Sequence, residues 1–243
     1  MVTRMENSPL IETLDISTDP ELTPDQDPIY ETEKEPPEEK LNKKQDESKE
    51  RIIRSALKLF AERGFFETRI PEISAHAKVG VGTMYRHFRN KDHLFNEAFR
   101  ISVQEFSEFL DRSISKNLSP KEQFFDFWKG LGLFSQGKFD QLIMIERNLS
   151  SYILDEESSK DALALKQKIS EYFAPAQNDK NLRLLYPSLI LGSFTGILRY
   201  HRIHENNIDP SLLEQSAEML WEGFSKVRQS PITKKKEKQI KKV

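Results

Sequence analysis

The 243-residue sequence predicts an all-α protein, with an N-terminal three-helix unit followed by a larger C-terminal helical domain. Three observations lead to this fold class. Glycine is scarce between the tails, apolar residues recur three and four positions apart, and alternating β-branched runs are missing. A chain of this length buries a hydrophobic core without disulfides or structural metals. We expect the two domains to cover residues 47–93 and 94–228.

Charge separates the ends of the chain from its middle. Residues 1–47 hold 14 acidic and 5 basic residues, whereas residues 48–95 hold 5 acidic and 10 basic ones. The proline-rich start predicts a disordered acidic tail over 1–46, and the final lysine cluster predicts a disordered basic tail over 229–243. A basic unit between acidic neighbours indicates an anionic partner. The acidic tail is either a solvated tail without a partner or a phosphate mimic that competes for the basic unit.

The first predicted helix begins after a cap at Asp46 or Ser48 and ends at Gly64, a residue type that commonly terminates helices. Its apolar residues recur at helical spacing, which predicts one buried face of a helix of about fifteen residues. These residues are Ile52, Ile53, Ala56, Leu57, Leu59 and Phe60.

Two short helices follow the first one. Thr68 can cap the second helix of the unit. After a tight turn at residues 78–80, a third helix of about two turns covers residues 81–88, and a fourth helix begins at Asn90 or Asp92. Two short helices joined by such a turn and preceded by a packing helix form a helix-turn-helix unit.

The helices of the larger domain are predicted from further start signals. Ser119 and Glu122 have the spacing of a capping box, with Pro120 at the first helical position. Asp209 followed by Pro210 is a second helix-start signal of this kind. Pro187 falls inside one predicted helix, which either kinks or begins there. The predicted helices cover residues 92–115, 120–134, 139–153, 158–173, 180–204 and 210–228.

The third helix of the unit is the candidate recognition helix. Such a helix enters the major groove of DNA only if its outer face offers small or polar groups, while its other face is anchored in the core. Val81, Thr83 and Arg86 are predicted to face outward, whereas Met84 and Phe88 are predicted to face inward. The pattern therefore predicts base contacts from the outward set.

Neighbouring residues are candidates for contacts to the DNA backbone. Gly82 would let the helix approach the duplex closely. Tyr85 and His87 carry donors suited to phosphate oxygens, as do Lys91, at the start of the next helix, and Thr68. We predict that these four donors contact phosphate.

The segment from Arg51 to Phe99 resembles the DNA-binding domain of the TetR/AcrR family of transcriptional regulators, most specifically in VGVGTMYRHFRNKDHLF. In that family the tyrosine, histidine and lysine positions bind phosphate, and the glycine-threonine step approaches bases. In the second helix, Arg69 is the residue that we expect to reach DNA. Lys78 departs from the pattern, because the family often has glycine there. The matching residues are Ile73, Ala77, Val79, Gly82, Thr83, Tyr85, His87, Phe88 and Lys91.

The resemblance implies a homodimer that binds double-stranded DNA at a palindromic operator. Family members dimerise through their last two helices, which here are predicted within residues 180–228. Small and apolar residues at helical spacing would allow close helix approach there, although ordinary packing within one chain uses the same pattern. These residues are Leu189, Gly192, Ser193, Gly196 and Ile197.

The resemblance also implies that the helical domain binds a small-molecule effector. Aromatic residues are concentrated in its first half, where they either line an apolar effector pocket or form plain core. The predicted pocket residues are Phe106, Phe124, Trp128, Phe134 and Arg147. We expect a repressor that the effector releases from its operator, with activation as the alternative.

Enzyme chemistry is not expected. The chain has no cysteine, which excludes disulfides, thiolate nucleophiles and cysteine-based metal sites. His201 and His204 could bind a metal weakly, but two exposed histidines are the simpler interpretation, and no nucleotide fingerprint is present. We predict no cofactor, no membrane span and a cytoplasmic protein. A protein-interaction module that has lost DNA binding is the other non-enzymatic alternative.

Overall fold

The computed structural model of the protein describes residues 37–115, 117–173, 180–203 and 209–229. Within these ranges the backbone forms helices joined by turns and no strand, which confirms the predicted all-α class. The helices are α1 (Pro37–Arg63), α2 (Ile70–Ala77), α3 (Val81–His87), α4 (Lys91–Ser113), α5 (Pro120–Asn148), α6 (Glu156–Phe173), α7 (Lys180–Ile203) and α8 (Pro210–Gln229).

The N-terminal unit consists of α1, α2 and α3, and the first turns of α4 close its core. The predicted apolar face of α1 is buried, and α2 and α3 each contribute anchors to the same core. Burial of these side chains holds the two short helices in place, since helices of seven or eight residues are marginal on their own. The fully or almost fully buried residues are Ile52, Ala56, Phe60, Ile73, Met84, Phe88, Leu94 and Phe95.

Helix α1 begins at Pro37, about nine residues before the cap predicted at Asp46. The predicted boundary of the acidic tail at residue 46 is therefore wrong, because residues 37–46 are helical. The added segment, PEEKLNKKQD, has proline at the first helical position and is followed by strong helix formers. The segment has no apolar residues at helical spacing, so the hydrophobic pattern does not predict it as a helix.

Helix α5 is a long helical run with one break in its backbone. Lys138 has φ −136° and ψ 39°, which divides the run into two halves. These halves correspond to the helices predicted over 120–134 and 139–153, except that the second half ends at Asn148. Gly137 stands directly before the break, and glycine lowers helix propensity. Helix α7 continues on both sides of Pro187, so it does not begin there.

The predicted effector-pocket aromatics form packed core in this structure. Phe106 and Phe134 have ring centroids 4.9 Å apart, and both rings are buried. Phe124 and Trp128 are also buried, with centroids 6.0 Å apart. Trp128 packs edge-on against Phe194 and its indole N–H donates to the carbonyl of Leu213 at 2.9 Å. These four aromatic side chains therefore join α4, α5, α7 and α8, as the core alternative predicted.

Candidate nucleic-acid interface

Helix α3 presents one face to solvent and the other to the core. Val81 is 41 % exposed and Tyr85 is 54 % exposed, while Met84 and Phe88 are only 1 % and 2 % exposed. Arg86 is also exposed, and Thr83 is half-buried. The inward and outward sets predicted from the sequence are those that the structure shows. A free face with small and polar groups is what a recognition helix requires.

The turn between α2 and α3 fixes the orientation of the free face. Lys78 ends α2 in the left-handed conformation, with φ 54° and ψ 47°, and its N–H is directed at the carbonyls of Ala75 and Ser74. Across the turn, the Ser74 hydroxyl lies 3.0 Å from the Met84 sulfur atom in the buried interface of the two helices. The crossing of α2 and α3 is therefore determined by both backbone and core contacts.

Gly82 lies on the free face of α3. A Cβ added at this position would meet no heavy atom of the described residues within 4 Å. Packing inside the chain therefore does not require a glycine here, and its missing side chain leaves the backbone of α3 accessible at this point. Nearby, the Arg86 guanidinium donates to the Thr83 hydroxyl at 2.8 Å, which orients this arginine along the same face.

His87 links the recognition helix to α1. Its Nε2 lies 2.7 Å from the Ser48 hydroxyl oxygen, and that hydroxyl donates to the carbonyl of Gln45 at 2.7 Å. The Ser48 hydroxyl has one proton, which it donates to the Gln45 carbonyl. The bond between Ser48 and His87 therefore has the Nε2–H of His87 as its donor. Partial burial, followed by the charges of Arg86 and Lys49, lowers the pKa of His87, although Asp46 opposes the shift. His87 is thus a neutral tie between helices near pH 7, and a phosphate contact would need a proton on Nδ1.

Thr68 does not lie where a phosphate can reach it. Its side chain is completely buried, and its hydroxyl is within hydrogen-bond distance of the carbonyls of Leu59 at 3.2 Å and Gly64 at 2.8 Å. The predicted phosphate contact is therefore wrong, and so is the predicted cap of α2. The hydroxyl instead satisfies carbonyls that the end of α1 leaves without helical partners. At the start of α2, the Glu72 carboxylate accepts from the backbone N–H of Arg69 at 2.9 Å.

Lys91 is engaged by the loop between α1 and α2. Its ammonium donates to the carbonyls of Phe65 at 2.9 Å and Thr68 at 3.1 Å, and lies 4.1 Å from the centroid of the Phe65 ring. Two of its three protons are therefore directed at protein carbonyls. The structure gives Lys91 a positioning role, and its predicted phosphate contact stays a prediction. Arg69 is exposed at the start of α2, in agreement with an external contact.

A groove of about 670 Å³ lies between α1 and the recognition helix. We call it the basic groove. The sequence interpretation missed its cations Lys44, Arg51 and Lys78, none of which forms an ion pair with another described residue. The excess of basic residues in the unit was the available signal, but only the fold places these three side chains together. The groove is lined by Lys44, Gln45, Ser48, Arg51, Lys78, Val79, Thr83, Arg86 and His87.

Arg147 connects the helical domain to the N-terminal unit. It was predicted to line the effector pocket, but its guanidinium donates to the carbonyl of Ala61, in the last turn of α1, at 2.8 Å. The preceding residue, Glu146, accepts from Arg199 of α7 at 2.7 Å. Residues 146 and 147 therefore join α1, α5 and α7, which is a structural link between the two domains.

The exposure predicted for His201 of α7 is wrong. His201 is buried, and neither ring nitrogen has a hydrogen-bond partner among the described residues. His204 lies outside the described residues. In the described ranges, no three His, Asp or Glu side chains are grouped so that they could hold a metal ion. None of the described helices combines the length and apolar character that a membrane crossing requires.

An exposed, core-anchored second helix beside unpaired cations defines a helix-turn-helix DNA-binding protein. Residues 52–98 match the family model described as bacterial regulatory proteins, tetR family. Residues 99–226 match the model described as tetracyclin repressor-like, C-terminal domain. The second match alone covers more than half of the chain. The chain therefore belongs to the tetR family of regulatory proteins.

Two curated relatives come from Bacillus subtilis strain 168. The fatty acid metabolism regulator protein is 28 % identical over 120 residues, which are 49 % of this chain and 57 % of the relative. The uncharacterized HTH-type transcriptional regulator YerO is 30 % identical over 164 residues, 63 % of this chain and 50 % of the relative. The chain thus spans about half the length of the curated relatives that it matches.

Solved structures share the fold over about three quarters of this chain. A TetR family transcription regulator from Marinobacter aquaeolei VT8 superposes with a TM-score of 0.59 and 14 % identity, over 74 % of this chain and 97 % of that one. The regulator FadR from Bacillus subtilis, in complex with stearoyl-CoA, superposes with a TM-score of 0.52 and 18 % identity, over 72 % and 98 %. At these identities the likeness shows the fold alone.

Proposed function

We propose that the chain is a cytoplasmic, homodimeric transcriptional repressor that binds a palindromic DNA operator and leaves it when an effector binds the helical domain. The observation that carries this proposal is the free face of α3, which is anchored by buried Met84 and Phe88. On this face, Val81 offers a methyl contact to thymine, and the Arg86 guanidinium offers paired donors to guanine. Thr83 and Gly82 lie where the backbone of α3 would approach the bases.

The remaining contacts of this proposal go to phosphate. Tyr85 offers its hydroxyl from the exposed face of α3, and Arg69 offers a guanidinium from the start of α2. The cations of the basic groove extend this surface along α1. Because such contacts neutralise DNA charge, they supply affinity and salt dependence rather than sequence preference.

Dimerisation is supported by exposed apolar groups on α7 and α8. Leu185, Leu189 and Tyr200 are exposed along α7, at spacings that place them on one face of the helix. On α8, Leu212 is 40 % exposed and Met219 is 75 % exposed. Exposed apolar side chains that recur along two helices are typical of an interface, and two copies of the unit supply the half-site pairing that specific binding needs.

The effector in this proposal is an apolar molecule with a polar head. The core of the helical domain is aromatic and aliphatic, and His201 supplies a buried imidazole without a described partner. Because FadR of Bacillus subtilis was solved with stearoyl-CoA, a long-chain acyl-CoA is the first ligand class to test. A ligand that separates the packed rings would shift α5, and Arg147 would transmit the shift to α1.

The test is selection of genomic DNA fragments by the purified full chain at near-physiological salt. We expect a palindromic sequence to be enriched by the native chain and to be lost or altered with Arg86→Gln. Arg112→Gln is the matched control, since Arg112 is exposed on α4, away from the free face. Addition of stearoyl-CoA, with coenzyme A alone beside it, then tests release. Absence of enrichment with every protein would favour the interaction-module alternative.

A further inference from the structure

The basic groove is a binding surface that lacks an anionic partner within the described chain. Its described lining contains the charged groups Lys44, Arg51, Lys78 and Arg86, and no carboxylate. The first three are not paired with any described acid. Lysine and arginine side chains gathered at this density repel one another unless an anion lies between them. The charge of the groove is therefore complementary to a polyanion, whether or not that polyanion is DNA.

His87 lies beside the same cations. Partial burial is the largest cause that lowers the pKa of this imidazole, followed by the charges of Arg86 and Lys49, with Asp46 acting in the opposite direction. The ring faces Ser48 across the groove and packs beside Phe88, the residue that follows α3. Burial and the neighbouring cations therefore both disfavour an additional proton on this ring.

The chain itself contains an acidic segment that directly precedes α1. Residues 1–36 contain 10 acidic and 2 basic residues and lead directly into Pro37, where α1 begins. Lys44 follows Pro37 by seven residues, which is about 10 Å along a helix. A tethered segment of this length presents its carboxylates to the groove at an effective concentration on the order of millimolar.

We propose that the acidic segment 1–36 binds in the basic groove and competes there with DNA. The proposal rests on the proposed function only because the same groove would take DNA phosphates. Carboxylates of the bound segment neutralise Lys44, Arg51 and Lys78 in the absence of DNA. The segment must leave before a duplex can contact these side chains. The apparent affinity for DNA is therefore the intrinsic affinity multiplied by the fraction of chains in which the groove is empty.

The difference in charge density explains why DNA can displace the segment. With 10 carboxylates in 36 residues, an extended segment has one negative charge per roughly 12 Å, at about 3.3 Å per residue. A DNA strand has one phosphate per about 3.4 Å of helix axis. The segment is therefore a weak competitor that DNA can displace. Salt weakens the binding of the segment to the groove, because the groove is open to solvent.

The first test is zero-length carbodiimide coupling of carboxylates to lysines in the native full chain, read by mass spectrometry. We expect acids of residues 6–35 to couple to Lys44 and Lys78 at least about fivefold more than to Lys58. Lys58 is the matched control, because it is exposed on the same α1 outside the groove. A random-sequence duplex should abolish the coupling. Equal coupling at Lys58 would overturn the proposal, and this readout needs no operator.

The second test is affinity for a random-sequence duplex with all ten acids of the segment changed to their amides. We expect about tenfold tighter binding at low salt, the value for a segment bound in about nine chains out of ten. The gain should shrink at high salt. In a chain that also carries Lys44→Gln, Arg51→Gln and Lys78→Gln, the amide changes should have no effect. An undiminished gain in that background would show general repulsion of DNA and would overturn docking in the groove.

Discussion

The hydrogen-bond donors around the recognition helix fall into two sets with different partners. Lys91 and Thr68 direct their donors at backbone carbonyls of the N-terminal unit. Tyr85 and Arg51 extend toward solvent without a described protein acceptor. The first set maintains the geometry of the unit, because its loss leaves carbonyls without donors. The second set is available to an external anion.

Lys91→Met should therefore affect stability more than a charge change alone would. We expect the free energy of unfolding to fall by about 1–3 kcal/mol, since two partly buried carbonyls lose their donor. Urea denaturation measures the change. Arg51→Met is the control, and it should alter stability by no more than about 0.5 kcal/mol while reducing the salt dependence of DNA binding. Equal stability of the two variants would contradict the positioning role of Lys91.

At the scale of whole elements, local signals predicted most of the helices. The capping box at Ser119 is present, because its hydroxyl accepts from the Glu122 N–H and the Glu122 carboxylate accepts from the Ser119 N–H. The start of α1 was missed because the sequence of residues 37–46 has helix propensity but no apolar residues at helical spacing. The backbone break at Lys138 falls in the gap between the helices predicted over 120–134 and 139–153.

The exposed face of α7 and α8 leads to a prediction about assembly. Met219→Glu should dissociate the dimer, because a carboxylate would be buried without a partner against the second copy. Sedimentation velocity should show a folded monomer with much weaker operator binding. Leu163→Glu is the matched control on α6, where Leu163 is 45 % exposed outside the proposed interface. Dissociation by both changes, or by neither, would contradict the assignment of the interface.

At the scale of the whole molecule, polar contacts join residues that are far apart in sequence, both within the helical domain and between the two domains. Arg100 of α4 donates to Asp155, which precedes α6, at 3.1 Å, and Asn96 donates to the carbonyl of Ile153 at 3.2 Å. Arg147 contacts Ala61 across 86 positions. Composition and periodicity carry no signal for such pairs, so the contacts that join the domains could not be predicted. The same limit applies to the basic groove.

Asp155 makes this network depend on pH. Burial opposes its ionisation, but hydrogen bonds from Ser158 and Arg100 outweigh burial and lower the pKa of Asp155. Because the folded pKa lies below the unfolded one, the stabilisation is present above about pH 4 and is lost as the pH falls through the folded pKa. Asp155→Asn should thus be less stable than the native chain at pH 7, and the gap should close in acid.

Thermal unfolding over a pH series measures this gap. Glu156→Gln is the control, since Glu156 is highly exposed and its pair with Lys160 lies on the surface. It should change the unfolding temperature little at any pH. A constant deficit of Asp155→Asn from pH 7 to pH 3 would show that the contribution of Asp155 is packing rather than charge.

The left-handed backbone of Lys78 sets stability of the turn against anion binding at this position. A residue with a Cβ is disfavoured at φ 54°, and glycine would relieve about 1 kcal/mol of conformational energy there. Glycine would also remove one cation from the basic groove. Stability and anion affinity therefore favour opposite residues at this position. Lys78→Gly should stabilise the turn and weaken anion binding in the basic groove, so a redesign of the turn for stability alone would remove part of the proposed binding surface.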